Sequence, residues 1–274
     1  MAALSDADEL ASVKLLADIP ANSDVGLPTQ RSTILLSSQT TGETLAVLDG
    51  RIPTRARTAA ASAVASKHLA NPNSSTLGLV GAGALAVAHV EAMLTVLPID
   101  TVLVWSRTMA TISTFHAGIA HHNLKVVIAD SVREIVESVD VLCTLTPAPE
   151  PLVHGRWFTP GLHVNAVGSR PRPEQREIDS EGIVRSRVFV DNLATAMEKS
   201  GDLVLPVSEG ALGFDDVQAE LGEVIAGKKR GRTSEEDITL FNSVGIGLQD
   251  LAIGRLLYDK ALERGLGLQI DLGR

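Results

Sequence analysis

Apolar residues in this chain come in short runs bounded by turn-forming residues, and the runs change character along its length. Thr33-Ile-Leu-Leu-Ser37 and Thr44-Leu-Ala-Val-Leu48 flank Gln39-Thr-Thr-Gly42, which predicts a β-hairpin with a glycine-containing loop. Asp49-Gly-Arg-Ile-Pro53 then leads into an Ala- and Ser-rich stretch, 54–70. Proline has a fixed φ that suits the first helical turn, where its missing N–H would be unpaired anyway, so a helix starts near Pro53. Asn71-Pro-Asn-Ser-Ser75 breaks that helix and reads as a linker.

From residue 76 to about 190 the pattern alternates. Strands are predicted at 76–80, 101–105, 124–128, 140–145, 162–167 and 187–191, and helices near 84–96, 109–121, 131–138 and 192–200. Such alternation implies a parallel sheet covered on both faces. Residues 215–226 read as a helix, followed by the basic loop Gly227-Lys-Lys-Arg-Gly-Arg232. Ile238, Phe241, Val244, Leu248, Leu251, Ile253 and Leu257 then recur at helical spacing, which predicts one long helix over 237–264 that returns to the hairpin region. The expected boundaries are 71–237 for the alternating domain, with 1–70 and 238–274 together forming a second, discontinuous domain.

The candidate chemistry begins where the first alternating strand ends. Leu77 to Val80 runs into Gly81-Ala-Gly83-Ala-Leu-Ala86 and an apolar helix, the G-x-G-x-x-A form of a Rossmann dinucleotide-binding turn. Gly81 permits a tight turn, Gly83 lets backbone approach a pyrophosphate, and Ala86 lets helix and strand pack closely. The N–H groups at the helix start, at Ala82, Ala84 and Leu85, suit an anion. By itself the motif also fits a Rossmann domain holding a flavin or a methyl donor. The second strand ends in Trp105-Ser106-Arg107-Thr108 without a carboxylate, and a guanidinium between two hydroxyls favours NADP(H) over NAD(H).

Composition narrows the picture. The chain has 274 residues, 45% of them hydrophobic but only 3% aromatic, so its core is aliphatic. A net charge of −9 argues against nucleic acid or an anionic membrane as a bulk partner. The N-terminus has neither the basic nor the apolar region of a signal peptide, no apolar run reaches membrane-spanning length, and a cytoplasmic location is expected. The single cysteine, Cys143, sits in an apolar run and reads as buried and structural. His163 reads as structural, His121-His122 as a helix end without partner spacing for a metal, and Lys228-Lys229-Arg230 as a solvated loop.

Several segments together carry a resemblance. Lys14, Gly26-Leu-Pro-Thr29, Leu48-Asp-Gly50, Thr54-Arg-Ala-Arg57-Thr-Ala-Ala-Ala61-Ser, Gly81-Ala-Gly83 and Trp105-Ser-Arg107-Thr108 resemble the ornithine cyclodeaminase/mu-crystallin family. So do Thr144-Leu-Thr146 with Glu150-Pro151, His163-Val-Asn165-Ala-Val-Gly168, Arg176-Glu-Ile-Asp179, Glu220-Leu-Gly222-Glu223 and Thr239-Leu-Phe241-x-Ser243-x-Gly245. The resemblance spans nearly the whole chain in order. It implies an α/β fold in which a Rossmann domain is inserted into a smaller α+β substrate and dimerisation domain made from both chain ends, and it implies a homodimer.

The resemblance also assigns residues. Lys14 matches a lysine at the substrate carboxylate and reacting carbon, Thr29 a small hydroxyl residue of the same pocket, and Arg57 an arginine that grips the carboxylate. Arg57 is expected in about the first turn of its helix, where the helix terminus adds to its charge. Thr146 and Pro147 match a cofactor-lining segment. Val167, Gly168 and Ser169 match residues beneath the nicotinamide, and Ser243 a serine near it. The family's cyclodeaminases carry an aspartate just after the Val-Gly pair; here the sequence is Val167-Gly-Ser-Arg-Pro-Arg-Pro173. That departure favours an NAD(P)H-dependent reductase of a small cyclic imino acid, or a related amino-acid dehydrogenase. The alternatives are an ornithine or lysine cyclodeaminase and a non-catalytic NADPH-binding protein. Asn242 and Leu85 are smaller departures, and family members have several dozen residues ahead of the segment matching Met1-Ala-Ala-Leu4. The general acid stays open.

Overall fold

The computed structural model describes residues 1–169 and 172–271; Arg170 and Pro171, part of the departure after Gly168, lie outside them. By compactness the chain divides into two units, Met1–Thr58 with the segment from Gly245 onward, and Ala59–Val244.

The first unit opens with β1 (Ala2–Ser5), β2 (Leu10–Asp18), β3 (Gln30–Ser38) and β4 (Thr44–Asp49), an antiparallel sheet in that order. β3 and β4 are the predicted hairpin. β2 escapes a reading by hydrophobic alternation because its pattern is inverted: Ser12 and Lys14 are buried while Val13 and Leu15 are exposed. α1 (Arg51–Leu69) follows, its first N–H bonded to the Asp49 carboxylate at 2.8 Å.

The second unit is a βα succession: β5 (Thr76–Val80), α2 (Ala84–Met93), β6 (Thr101–Trp105), α3 (Met109–Ile119), β7 (Lys125–Ile128), α4 (Val132–Ser138), β8 (Val141–Thr144), β9 (His163–Ala166), α5 (Ser180–Val184), β10 (Arg187–Val190), α6 (Leu193–Lys199), α7 (Gly201–Ser208), β11 (Val217–Glu220), α8 (Leu221–Ile225) and β12 (Thr239–Asn242). All eight strands are parallel, in the order β11-β10-β12-β9-β8-β5-β6-β7. Successive residues of β8 feed opposite faces: Leu142 joins the cluster around α4, while Val141 and Cys143 join the one under α2 and α3. This is the covered parallel sheet that strand–helix alternation predicts.

Two predicted helices are corrected. Residues 215–226 comprise β11 and the short α8, joined at Glu220, whose backbone N–H bonds the Glu223 carboxylate at 3.1 Å. The segment 237–264 is β12 followed, after Gly245 at φ +77°, by α9 (Gly247–Arg264). The apolar residues of 238–244 had helical spacing because a strand buried on both faces is apolar throughout and carries no period of its own. β12 pairs with β9 and β10, so it belongs to the large sheet.

α9 closes the first unit against the inner face of its sheet. Gly254 sits 3.8–3.9 Å, measured from a Cβ built on it, from Ile34, Leu36 and Leu48. Leu251 and Asp250 are buried in the same layer. No helix among the described residues is long and apolar enough to cross a membrane.

Candidate functional site

In the first unit the inverted pattern of β2 aims Lys14 inward, beneath α9. Its Nζ lies 2.9 and 2.8 Å from the two carboxylate oxygens of Asp250 on α9. Arg57 on α1 donates from Nε to the same carboxylate at 3.0 Å and from a terminal nitrogen to Gln249 Oε1 at 2.7 Å. Lys14 and Asp250 are fully shielded and the Arg57 side chain nearly so. Burial and the adjacent Arg57 lower the Lys14 pKa; the hydrogen bond and charge of Asp250 oppose them without cancelling the shift.

Arg57 is the seventh residue of α1, in its second turn, so the terminal N–H groups invoked for it do not reach it. Its orientation comes instead from Asp250, Gln249 and Gly245. A Cβ on Gly245 would meet the guanidinium, so the turn into α9 lies flat against it. Thr29 is not brought to this cluster. Its carbonyl accepts from Ile19 N–H at 2.7 Å, beyond the end of β2, whereas Lys14 stands opposite Ile34. Five residues of antiparallel ladder separate them, roughly 17 Å. A cavity of about 540 Å³ lies on the other face of this sheet, lined by Leu15, Ala17, Arg31, Thr33, Val47 and Asp49 among others.

In the second unit the predicted cofactor residues fall along one edge. Val80, Trp105, Thr144, Ala166 and Asn242 are in register across β5, β6, β8, β9 and β12. Gly81, Ser106, Thr146 and Pro147, Val167 with Gly168 and Ser169, and Ser243 therefore all emerge from the carboxyl ends of parallel strands. The chain order reverses between β5 and β8, and open α/β sheets bind ligands at such a switch point.

The glycines differ in what fixes them. Gly81 has φ +107°, and a Cβ there would lie 2.8 Å from the Leu145 carbonyl oxygen, so the chain itself requires glycine. A Cβ on Gly168 would run into the Thr146 backbone. Gly83 has φ −77° and nothing within 4 Å of a built Cβ, so neither backbone nor packing explains it. It caps α2 without a side-chain hydrogen bond; Ala82 is buried beneath it, Ala84 is exposed and Leu85 half-buried. Among the described residues Ser243 Oγ is buried without a hydrogen-bond partner, whereas Ser169 Oγ donates to the Gln175 carbonyl at 2.9 Å. Arg107 is exposed. Thr108 is the N-cap of α3, its Oγ1 accepting from Thr111 N–H, so its hydroxyl has a structural partner.

Residues to which the sequence assigned no role support both places. Asp250 and Gln249 hold Lys14 and Arg57. Glu177 accepts from Thr146 N–H at 2.7 Å and Thr146 Oγ1 at 2.6 Å, and so fixes the segment after β8. Asp202 accepts from the N–H groups of Glu177 and Ile178. Both carboxyls are fully buried; burial pushes Glu177 up to about 7 and Asp202 up to about 6. Their signal in sequence is slight, because a single carboxylate without a recognisable partner looks like surface.

Cys143, His163 and the 228–230 loop have the structural settings expected of them. Burial pushes Cys143 up to about 12. His163 is buried against Thr239 Oγ1 at 2.9 Å, and burial takes it down to about 3. Lys228, Lys229 and Arg230 are exposed.

A parallel, doubly wound sheet with a glycine turn at its switch point, joined to an antiparallel sheet carrying a buried lysine and arginine, defines a two-unit dinucleotide-fold protein of the amino- or imino-acid class. The chain belongs to the ornithine cyclodeaminase/mu-crystallin family, whose model matches residues 1–265. It is 37% identical to a Δ1-pyrroline-2-carboxylate reductase of Bacillus cereus over 99% of this chain and 83% of the relative. Among solved structures it is similar to the Thermococcus litoralis Δ1-pyrroline-2-carboxylate reductase in complex with NADH and L-proline. That match has a TM-score of 0.91 and 36% identity and covers 96% of this chain and 81% of the other. An archaeal alanine dehydrogenase dimer with bound NAD matches with a TM-score of 0.92 and 35% identity, over 97% and 82% of the two chains.

Proposed function

We propose that this chain is a nicotinamide-dinucleotide-dependent reductase of a small cyclic imino acid, of the Δ1-pyrroline-2-carboxylate or Δ1-piperideine-2-carboxylate type. The observation that carries the reading is the charge imbalance at Asp250: Lys14 and Arg57, two shielded cations, share one carboxylate. A surplus buried charge is costly unless it is paired, and a substrate carboxylate supplies the missing partner. Arg57 commits Nε and one terminal nitrogen to Asp250 and Gln249, and a guanidinium has further N–H groups for a ligand. Lys14, its pKa lowered by burial and by Arg57, is an ammonium readier to give up a proton and is assigned as donor to the imine nitrogen. Asp250 orients both cations, and Gln249 orients Arg57. Thr29 stays outside this assignment.

The sheet edge fits a dinucleotide. Gly83 has a side-chain-free cradle that the protein's own packing does not demand, and Ser243 presents an orphaned buried hydroxyl. Gly81, Ala82, Gly83, Ala84 and Leu85 would hold the pyrophosphate, and Thr146, Pro147, Val167, Gly168, Ser169 and Ser243 the nicotinamide half. When bound, the cofactor supplies the hydride that reduces the C=N carbon. Arg107, exposed where β6 ends and without a neighbouring carboxylate in Ser106-Arg107-Thr108, supports NADP(H) as the preferred form.

The partner reading is a homodimer through the outer face of the four-stranded sheet. Leu4, Val13, Leu15 and Val47 are each half or more exposed there, an apolar area larger than scattered surface residues make.

The test is a spectrophotometric assay of NADPH and NADH oxidation with each cyclic imine, with proline or pipecolate identified as product. Cofactor binding without reduction of any imine, or of a 2-keto acid with ammonia, would overturn the enzymatic reading.

A further inference from the structure

We propose that Glu91, His121 and His122 form a divalent metal site of the zinc type on the second unit, remote from the glycine turn. One potential ligand atom from each of the three side chains lies within 4.8 Å of the others. The sequence offers only the adjacent histidines; the third ligand arrives from another helix.

Close packing of α2 against α3 brings them together. Gly118 in α3 faces Val87 in α2 so tightly that a Cβ on the glycine would lie 2.9 Å from a Val87 methyl. Glycine within a helix costs about 1 kcal/mol relative to alanine, so the close approach is the feature it provides. Glu91 lies one turn beyond Val87, and His122 one turn beyond Gly118. The rings of His121 and His122 stand 4.0 Å apart between centroids. Among the described residues His122 Nε2 is buried without a hydrogen-bond partner, an orphan that a bound cation would satisfy.

The chemistry selects the ligand. Two imidazoles and a carboxylate suit zinc and its borderline neighbours better than calcium or magnesium, which prefer all-oxygen sets. The three side chains gather where α2 and α3 end, and the carboxyl ends of helices favour cations. Glu91 is seven residues along α2 from its first residue, about 10 Å from the end proposed to face phosphate. The ion would clip the two helices together without entering the nucleotide site.

The experiment titrates zinc alone into the metal-free full chain by calorimetry and by competition with a chromophoric chelator. Thermal unfolding is recorded with and without metal. The expected result is one site per chain, weakened by about tenfold or more in Glu91→Gln and in the double variant His121→Ala/His122→Ala. Zinc should raise the melting temperature of the parent but not of the double variant. His116→Ala, which alters the exposed histidine within α3, should bind as the parent does. Matching metal-free melting temperatures establish that the variants fold. Unchanged affinity in the folded double variant, or no binding by the parent at millimolar zinc, overturns the proposal.

Discussion

Asp250 holds Lys14 at 2.8 Å from a position 236 residues further along the chain, and the same carboxylate takes the Nε of Arg57. Lys14 and Arg57 therefore share one anchor on α9 and respond together when it is altered.

Asp250→Asn keeps the shape and removes the charge. Two shielded cations are then left without an anion, and breaking a buried pair in this way costs about 3–5 kcal/mol. Urea unfolding should show that loss, and imine reduction should fall with it. Lys14→Ala leaves Asp250 still paired with Arg57, so it should retain more stability than Asp250→Asn while losing on the order of 10²–10⁴ in turnover. A Lys14→Ala enzyme with parental turnover would remove Lys14 from the mechanism.

Glu177 gives the second unit a pH signature. Burial pushes its carboxyl from the ordinary glutamate value of 4.5 up to about 7 in the fold. The folded chain thus binds the extra proton between those values. The stabilisation is full below pH 4.5 and is lost as the pH rises through 7. Asp202, raised to about 6, acts in the same direction. Glu177→Gln keeps an oxygen for Thr146 N–H and Oγ1 and removes the titration, so its fall in stability from pH 5 to pH 8 should be smaller than the parent's. Chemical denaturation at the two pH values measures the difference, and equal slopes would refute the assignment.

Arg107→Ala tests cofactor choice. Loss of one charge-assisted contact to a 2′-phosphate corresponds to about 1.5–3 kcal/mol, or roughly 10- to 150-fold in affinity. NADPH binding, followed by nicotinamide fluorescence, should weaken by that factor while NADH binding barely changes. Equal effects on both would place Arg107 away from the 2′-position.

Leu15→Asp addresses the outer sheet face. Leu15 is 74% exposed and lines the cavity on that face, so the substitution disturbs little within the chain. Light scattering after size-exclusion chromatography should report a dimer for the parent and a monomer for the variant. A parent that is monomeric at all concentrations would rule out the assembly.

The large sheet was legible because each of its early strands is a short apolar run closed by a turn, and because Gly81-Ala-Gly83 stands where the first of them stops. Lys14 and Arg57 were legible only through resemblance. In β2 the polar side chains face inward, so the usual alternation rule points the wrong way. Asp250 was hidden because a single acid in the first turn of a helix looks like a solvated end residue until α9 is laid on the sheet. The misread helix at 237–244 has the opposite cause: a central parallel strand is apolar on both faces and resembles a buried helix. Thr29 matched a motif, yet the turn that carries it ends far up the ladder from Lys14. Sequence adjacency to a motif does not fix where a loop delivers its side chain.

Cys143, the chain's lone thiol, is sealed inside the parallel sheet and held at about 12. A maleimide or iodoacetamide reagent at neutral pH finds almost no thiolate there and no path to it. One cysteine introduced at an exposed position outside the proposed site, such as Ala110 at the start of α3, would be the only thiol to react. The native background needs no editing, and the chain can carry a single fluorophore or spin label that reports ligand arrival directly.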